Sequence, residues 1–242
     1  MFKLFKKQQP VDLSVLVTDI HSHLLPGIDD GARVFDDSLE MIRALIQLGY
    51  KKLITTPHIM QDYYPNTPEI ILTKLEELKI VLKENDLNIE VEVAAEYYLD
   101  EFLMEKLDNT DQLLTFGKNY ILFEMSFYNE SPFIKDFIFK IKSSGLTPVL
   151  AHAERYSYYS GNLDKIEDLV ERGALIQMNI NSISGVYSKP VTKLAEAIID
   201  SKLVHFLGSD CHHISHIDGI NKTRLKKYCE KALNLPLLNS TL

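Results

Sequence analysis

The stretch Asp19-Ile20-His21-Ser22-His23, followed by Leu24-Leu25-Pro26-Gly27-Ile28-Asp29-Asp30-Gly31, decides how this 242-residue chain is read. Val15, Leu16 and Val17 stand immediately before it and read as a buried strand. Side chains at i and i+2 of a strand share one side, so His21 and His23 aim two imidazoles at one point where the strand ends. Neutral imidazole ligates zinc, manganese and iron-type ions. The Pro26-Gly27 turn brings Asp29 and Asp30 back toward the same place. An isolated His-x-His is weak, because short motifs recur by chance. The weight therefore rests on where the other histidines and acids fall.

Outward from that stretch, strand-like and helix-like patterns alternate. Strands are expected over 52–56, 88–95, 120–123, 147–151, 174–179 and 203–207. Helices are expected from Phe35 to the stop at Gly49, from Thr67-Pro68-Glu69 onward, and over 98–108, 132–144, 163–171, 190–200 and 218–232. Seven strand–helix units in this order imply a parallel sheet with helices outside it. A closed, barrel-like single domain over 15–242 fits the length, after a basic N-terminal tail over 1–14; an open doubly wound sheet is the alternative.

Composition narrows the function. The net charge of −8 argues against nucleic acid or an anionic membrane as the main partner. Met1-Phe2-Lys3-Leu4-Phe5-Lys6-Lys7 is cut short by Gln8-Gln9-Pro10, so it reads as neither signal peptide nor transmembrane segment. Cys211 and Cys229 form no disulfide framework and read as reduced thiols of a cytoplasmic protein.

Metal-ligating residues recur at the carboxyl ends of the strands. After His21 and His23 come His58, Glu96, Glu124, His152, and Asp210 with His212. In parallel barrels the reacting groups come from this face. Any one of these residues alone reads as a solvated loop residue; the set does not. His205 reads as a packed core histidine, His213 and His216 as loop residues, and Cys211 as pointing away from its neighbours. Imidazoles mixed with carboxylates suit manganese, iron or zinc rather than a sulfur-rich structural zinc site. With Asp30 the candidates number nine, too many for one ion. Two or three ions fit, with Glu96 or another carboxylate bridging. Such a cluster activates water and neutralises a phosphate. Arg155, in Ala151-His152-Ala153-Glu154-Arg155, is placed to grip phosphate oxygens, with a surface pairing to Glu154 or another acid as the alternative. Arg33 is a weaker candidate of the same kind. The chain has no Cys-x5-Arg loop, P-loop or dinucleotide fingerprint.

The segments His21 to Ala32, Thr55-Thr56-Pro57-His58, His152-Ala153-Glu154-Arg155 and Gly208-Ser209-Asp210-Cys211-His212 resemble the polymerase-and-histidinol-phosphatase (PHP) superfamily. Within it they most resemble the bacterial manganese-dependent protein tyrosine phosphatases of the CpsB/CapC type. The likeness runs from about Asp19 to about Ile220. It implies an α/β fold, a distorted TIM-like barrel of seven βα units. It implies a centre of two or three ions, Mn2+ foremost and Fe or Zn otherwise, held by His21, His23, Asp30, His58, Glu96, Glu124, His152, Asp210 and His212. Arg155 matches the arginine that holds the phosphate. The resemblance further implies phosphotyrosine hydrolysis on a bacterial tyrosine kinase linked to capsule or exopolysaccharide export, and self-association. A small-molecule phosphomonoesterase of histidinol-phosphatase type, a phosphodiesterase and a turnover-dead scaffold are the alternatives. Tyr63 and Tyr64, in the loop from Gln61 to Asn66, either line the substrate entrance or merely pack.

Overall fold

The structure, a computed structural model, describes residues 9–242. Residues 1–8 of the expected tail lie outside it. Strand β1 (Thr18–Asp19) pairs with β2 (Lys52–Thr55), and β2 with β4 (Glu90–Val93). A second sheet runs β3-β5-β6-β7-β8-β9, made of His58–Ile59, Glu96–Tyr98, Tyr120–Glu124, Thr147–Leu150, Leu175–Asn179 and Phe206–Gly208. Every pairing is parallel. The two sheets are one curled surface in all but register. Ala94 N–H donates to Thr55 O (3.0 Å) and Glu96 N–H to Pro57 O (3.1 Å), which carries pairing across the breaks between β2 and β3 and between β4 and β5. At the other margin Asp210 N–H donates to His21 O (2.8 Å) and His23 N–H to Cys211 O (3.0 Å). The opening motif therefore sits where the ends of the curl meet. The fold is α/β, with one parallel curled sheet and helices outside it.

Eight helices flank the strands among the described residues. The first, α1 (Phe35–Gln47), buries Leu39, Ile42 and Leu45 and ends before Gly49, whose φ of +105° an L side chain resists. Next, α2 (Pro68–Glu84) begins where the sequence places its cap: Thr67 Oγ1 accepts Ile70 N–H (3.4 Å). Its buried Ile71, Leu75, Leu78 and Leu82 each contribute roughly 1.5–3 kcal/mol of apolar burial. The others are α3 (Glu101–Lys106), α4 (Ile134–Ser143), α5 (Leu163–Glu171), α6 (Lys189–Asp200), α7 (Ile214–Thr223) and α8 (Lys227–Leu233). A small apolar cluster draws Ile20, Ile54, Ala94, Leu122, Val149 and Phe206 from strands all round the curl, and so fills its inside. The larger core lies between the sheet and the helices. No helix among the described residues is long and apolar enough to cross a membrane.

Several expectations are corrected. Val15-Leu16-Val17 is not a strand; Leu13–Leu16 form a 3-10 turn with Asp12 Oδ1 accepting Ser14 N–H (2.9 Å). Leu13 and Leu16 are buried while Val15 is exposed, so the apolar period here is three, not two. Glu96 opens β5 instead of closing a strand, because Ala94-Ala95 interrupts the run. The last strand starts at Phe206, and His205 precedes it, its Nδ1 accepting Ile176 N–H (3.1 Å). The single helix expected over 218–232 is two, parted at Arg224-Leu225-Lys226. There Val11 N–H donates to Arg224 O (2.9 Å) and Arg224 Nε–H to Val11 O (2.8 Å), which docks the N-terminal segment on the break.

Candidate metal centre

At the carboxyl ends of the strands the structure brings all nine expected ligands together. His21 and His23 point to one side, ring centroids 5.5 Å apart. Between them and the rest stands Glu96. Its Oε2 lies 3.1 Å from His21 Nε2, 3.3 Å from His23 Nε2 and 3.3 Å from His58 Nδ1; its Oε1 lies 2.9 Å from His152 Nε2. Glu124 Oε1 is 3.0 Å from His58 Nδ1. Asp30 Oδ1 is 3.4 Å from both His58 Nε2 and His212 Nε2. Asp210 Oδ1 is 3.5 Å from His21 Nε2 and 3.3 Å from His212 Nδ1. Three sets have ligand atoms within 4.8 Å of one another: His23-Asp30-His58-His212, His21-His23-Glu96 and His58-Glu96-Glu124.

The donor chemistry fits divalent ions. Histidines that bind metal turn the other ring nitrogen outward to an acceptor. His21 Nδ1 meets Gln177 Oε1 (3.0 Å), His23 Nδ1 meets Asp29 Oδ2 (2.7 Å), and His212 Nδ1 meets Asp210 O (3.0 Å). With Nδ1 donating, the Nε2 atoms of His21 and His23 face each other at 3.4 Å beside carboxylates, an arrangement that calls for positive charge between them. Without ions, protons take that place. Burial lowers the His21 pKa, but Glu96 and Asp210 outweigh it and hold it up to about 9. His212 stands likewise at about 9, burial being outweighed by Asp210 and Asp30. Burial pushes the Glu96 and Asp210 carboxyls up, yet the facing imidazoles keep both well below the usual carboxylate range. His152 Nδ1 is buried with no hydrogen-bond partner among the described residues. His152 and Asp210 also sit at φ of +34° and +48°, a left-handed backbone that costs a non-glycine residue about 1–3 kcal/mol and clusters at working sites.

A layer the sequence reading missed holds these ligands in place. Gln177 Oε1, besides meeting His21, accepts His152 N–H (2.8 Å); Gln177 Nε2–H donates to Asn179 Oδ1 (2.9 Å), and Asn179 Nδ2–H to Asp210 Oδ2 (2.6 Å). Asp29 also accepts His58 N–H and Gly31 N–H. A Cβ on Gly31 would collide with His23 O and Cβ, so only glycine lets the turn close this tightly on the ligand.

Arg155 does not pair with Glu154, which is buried and accepts Asn179 N–H and Ser182 Oγ–H instead. Its Nη1 lies 3.1 Å from Asp210 Oδ2, and its guanidinium is stacked between Phe127 (4.6 Å) and Tyr187 (4.7 Å). Both rings were unmarked in the sequence. Arg33 is not brought to the site: its side chain is 86% exposed and pairs with Asp37 (3.2 Å). Tyr64 stacks on His58 (5.3 Å), while Tyr63 points to solvent. The cavity, about 250 Å³, is lined by ligands, Arg155, Phe127 and Tyr187. His213 and His216 line it too, and His216 lies inside α7 rather than in a loop. Cys211 Sγ turns to His213 O (3.6 Å), and burial pushes its thiol up. A larger cavity of about 470 Å³ opens beside the start of α2, between Thr67, Leu72, Tyr97 and Lys106, but holds no ligand cluster among the described residues. The cluster of candidate ligands lines only the smaller one among the described residues.

The family model described as capsular polysaccharide synthesis, CpsB/CapC, matches residues 17–233. Tyrosine-protein phosphatase YwqE of Bacillus subtilis is 30% identical over 196 residues, spanning 81% of this chain and 77% of that protein. Tyrosine-protein phosphatase CpsB of Streptococcus pneumoniae is 26% identical over 201 residues, spanning 81% and 83%. A structure from a study of YwqE and CpsB as metal-dependent tyrosine phosphatases superposes with a TM-score of 0.78 at 28% identity, covering 88% of this chain and 90% of that one.

Proposed function

Because the chain belongs to the CpsB/CapC family, we propose that it is a metal-dependent tyrosine-protein phosphatase, hydrolysing phosphotyrosine on protein to tyrosine and phosphate. Its substrate is a bacterial tyrosine kinase of capsule or exopolysaccharide synthesis, met in the cytoplasm. We read the curled sheet as a distorted barrel of seven βα units. His21, His23, Asp30, His58, Glu96, Glu124, His152, Asp210 and His212 would hold two or three ions, manganese foremost. The observation that carries this reading is Glu96, one buried carboxylate shared among His21, His23, His58 and His152.

Bound ions supply Lewis-acid charge for the phosphoryl oxygens and activate water. The chain's own groups do the rest. Asp210 Oδ2 fixes one edge of the Arg155 guanidinium, and the two rings fix its plane. The remaining N–H groups are then preorganised to donate to the equatorial oxygens of the phosphate as charge develops. The cavity is smaller than the roughly 300–1,000 Å³ usual for ligand sites, and so suits a phosphate and one ring.

The test is turnover of a phosphotyrosyl peptide by manganese-loaded protein, beside histidinol phosphate. The reading expects peptide hydrolysis that a chelator abolishes. Chelator-resistant turnover, or a preference for histidinol phosphate, would refute it.

A further inference from the structure

We propose that a ring of exposed apolar side chains around the cavity mouth docks the polypeptide flanking the phosphotyrosine. The peptide then lies across the rim while only its ring and phosphate enter. This rests on the tyrosine phosphatase reading above.

Tyr63, Tyr128, Val186 and Ile214 are all solvent-exposed. They follow β3, β6, β8 and β9 respectively, three in the connection leaving the carboxyl end of the strand and Ile214 at the first residue of α7. Scattered exposed apolar residues are normal and need no explanation. Here all four stand at the end of the sheet that carries the candidate ligands, each next in sequence to a residue that lines the cavity or stacks on one that does. Tyr128 and Val186 adjoin Phe127 and Tyr187, and Ile214 adjoins His213, all three of which line the cavity. Tyr63 adjoins Tyr64, which stacks on His58. Tyr63 and Tyr128, at 76% and 84% exposure, spend most of their surface on water, and no other described residue covers them.

The occupant follows from continuity with the cavity. Its roughly 250 Å³ leaves no room for the residues on either side of a phosphotyrosine, so these must cross the rim. A second copy of the chain or a lipid surface seated there would close the mouth against substrate. An extended peptide with apolar side chains near the phosphotyrosine satisfies both the ring and the opening.

The experiment compares manganese-loaded wild type with the triple variant Tyr63→Ser/Tyr128→Ser/Val186→Ser. The control is Ile80→Ser/Phe139→Ser, which alters exposed apolar residues on α2 and α4 away from the mouth. Each is assayed on a phosphotyrosyl peptide with apolar flanks and on p-nitrophenyl phosphate. The rim variant should lose about tenfold or more in kcat/KM on the peptide, through KM, as loss of a docking anchor does. Its p-nitrophenyl phosphate kinetics and both activities of the control should stay unchanged. Unchanged peptide kinetics, an equal loss on both substrates, or an equal loss in the control would overturn the proposal. Wild type active on p-nitrophenyl phosphate but on no phosphotyrosyl peptide would instead overturn the functional reading, and the rim with it.

Discussion

Replacing Glu96 by Gln keeps the size of the side chain and removes the charge on which the centre converges. In the structure that carboxylate lies within 3.3 Å of ring nitrogens of His21, His23, His58 and His152, and it is buried. A protein that binds metal only when folded gains about 2.7 kcal/mol of stability when metal is at 100 times its Kd. At this chain length each kcal/mol moves Tm by roughly 2–4 °C. Manganese should therefore raise the wild-type Tm by about 5–11 °C over the chelated protein. In Glu96→Gln that increment should vanish, and bound metal should fall by at least one ion per chain. Turnover should drop by more than the roughly 10–100-fold that loss of a ligand's supporting partner costs. The increment is the readout, not the absolute Tm, because the substitution also removes the partner of the imidazoliums in the ion-free protein. The checks are differential scanning calorimetry with and without manganese, and elemental analysis. Full metal content with an undiminished increment in Glu96→Gln would refute the placement of this carboxylate at the heart of the centre.

Three further outcomes follow from the same geometry. Gln177→Leu strips the acceptor from His21 Nδ1 and His152 N–H, so metal affinity measured by competition with a chelator should fall roughly 10–100-fold; an unchanged affinity would remove Gln177 from the supporting layer. Arg155→Lys keeps the positive charge but loses the planar fork and both ring stacks. Steady-state kinetics should show kcat/KM down by about 10²–10³-fold, as for loss of a transition-state donor, with metal content unchanged. Gly31→Ala places a methyl against the His23 backbone; Tm should drop and the manganese-dependent increment shrink together, and a drop in Tm alone would show the collision relieved without moving the ligand.

How much of this was legible in the sequence depends on where water stops. The run Val149-Leu150-Ala151 is buried and ends at His152; Phe206-Leu207-Gly208 is buried and ends at Ser209-Asp210. A polar group at the end of an apolar run is conspicuous, and parallel pairing gathers all such ends at one face, so their convergence could be read without coordinates. Gln177 and Asn179 hide for a different reason: they belong to the strand run Leu175–Asn179, Gln177 in its middle and Asn179 at its last position. Their signal was parity. Two polar side chains at i and i+2 of a buried strand share one face, and burying them without partners costs free energy, so they had to be meeting something polar inside the curl. Arg33 misled because nearness in sequence to Asp30 says nothing about side; once α1 forms, Asp37 is one turn away and captures it. No local pattern encodes the stack on Arg155, whose rings come from the β6–α4 and β8–α6 connections. The same holds for the rim: single apolar residues after four separate strands look like noise along the chain, and become a surface only when the sheet curls. What the chain's periodicity reports is burial, element by element. Orientation and encirclement arise between elements, which is why the strand-end cluster was legible and the side chains that support it were not.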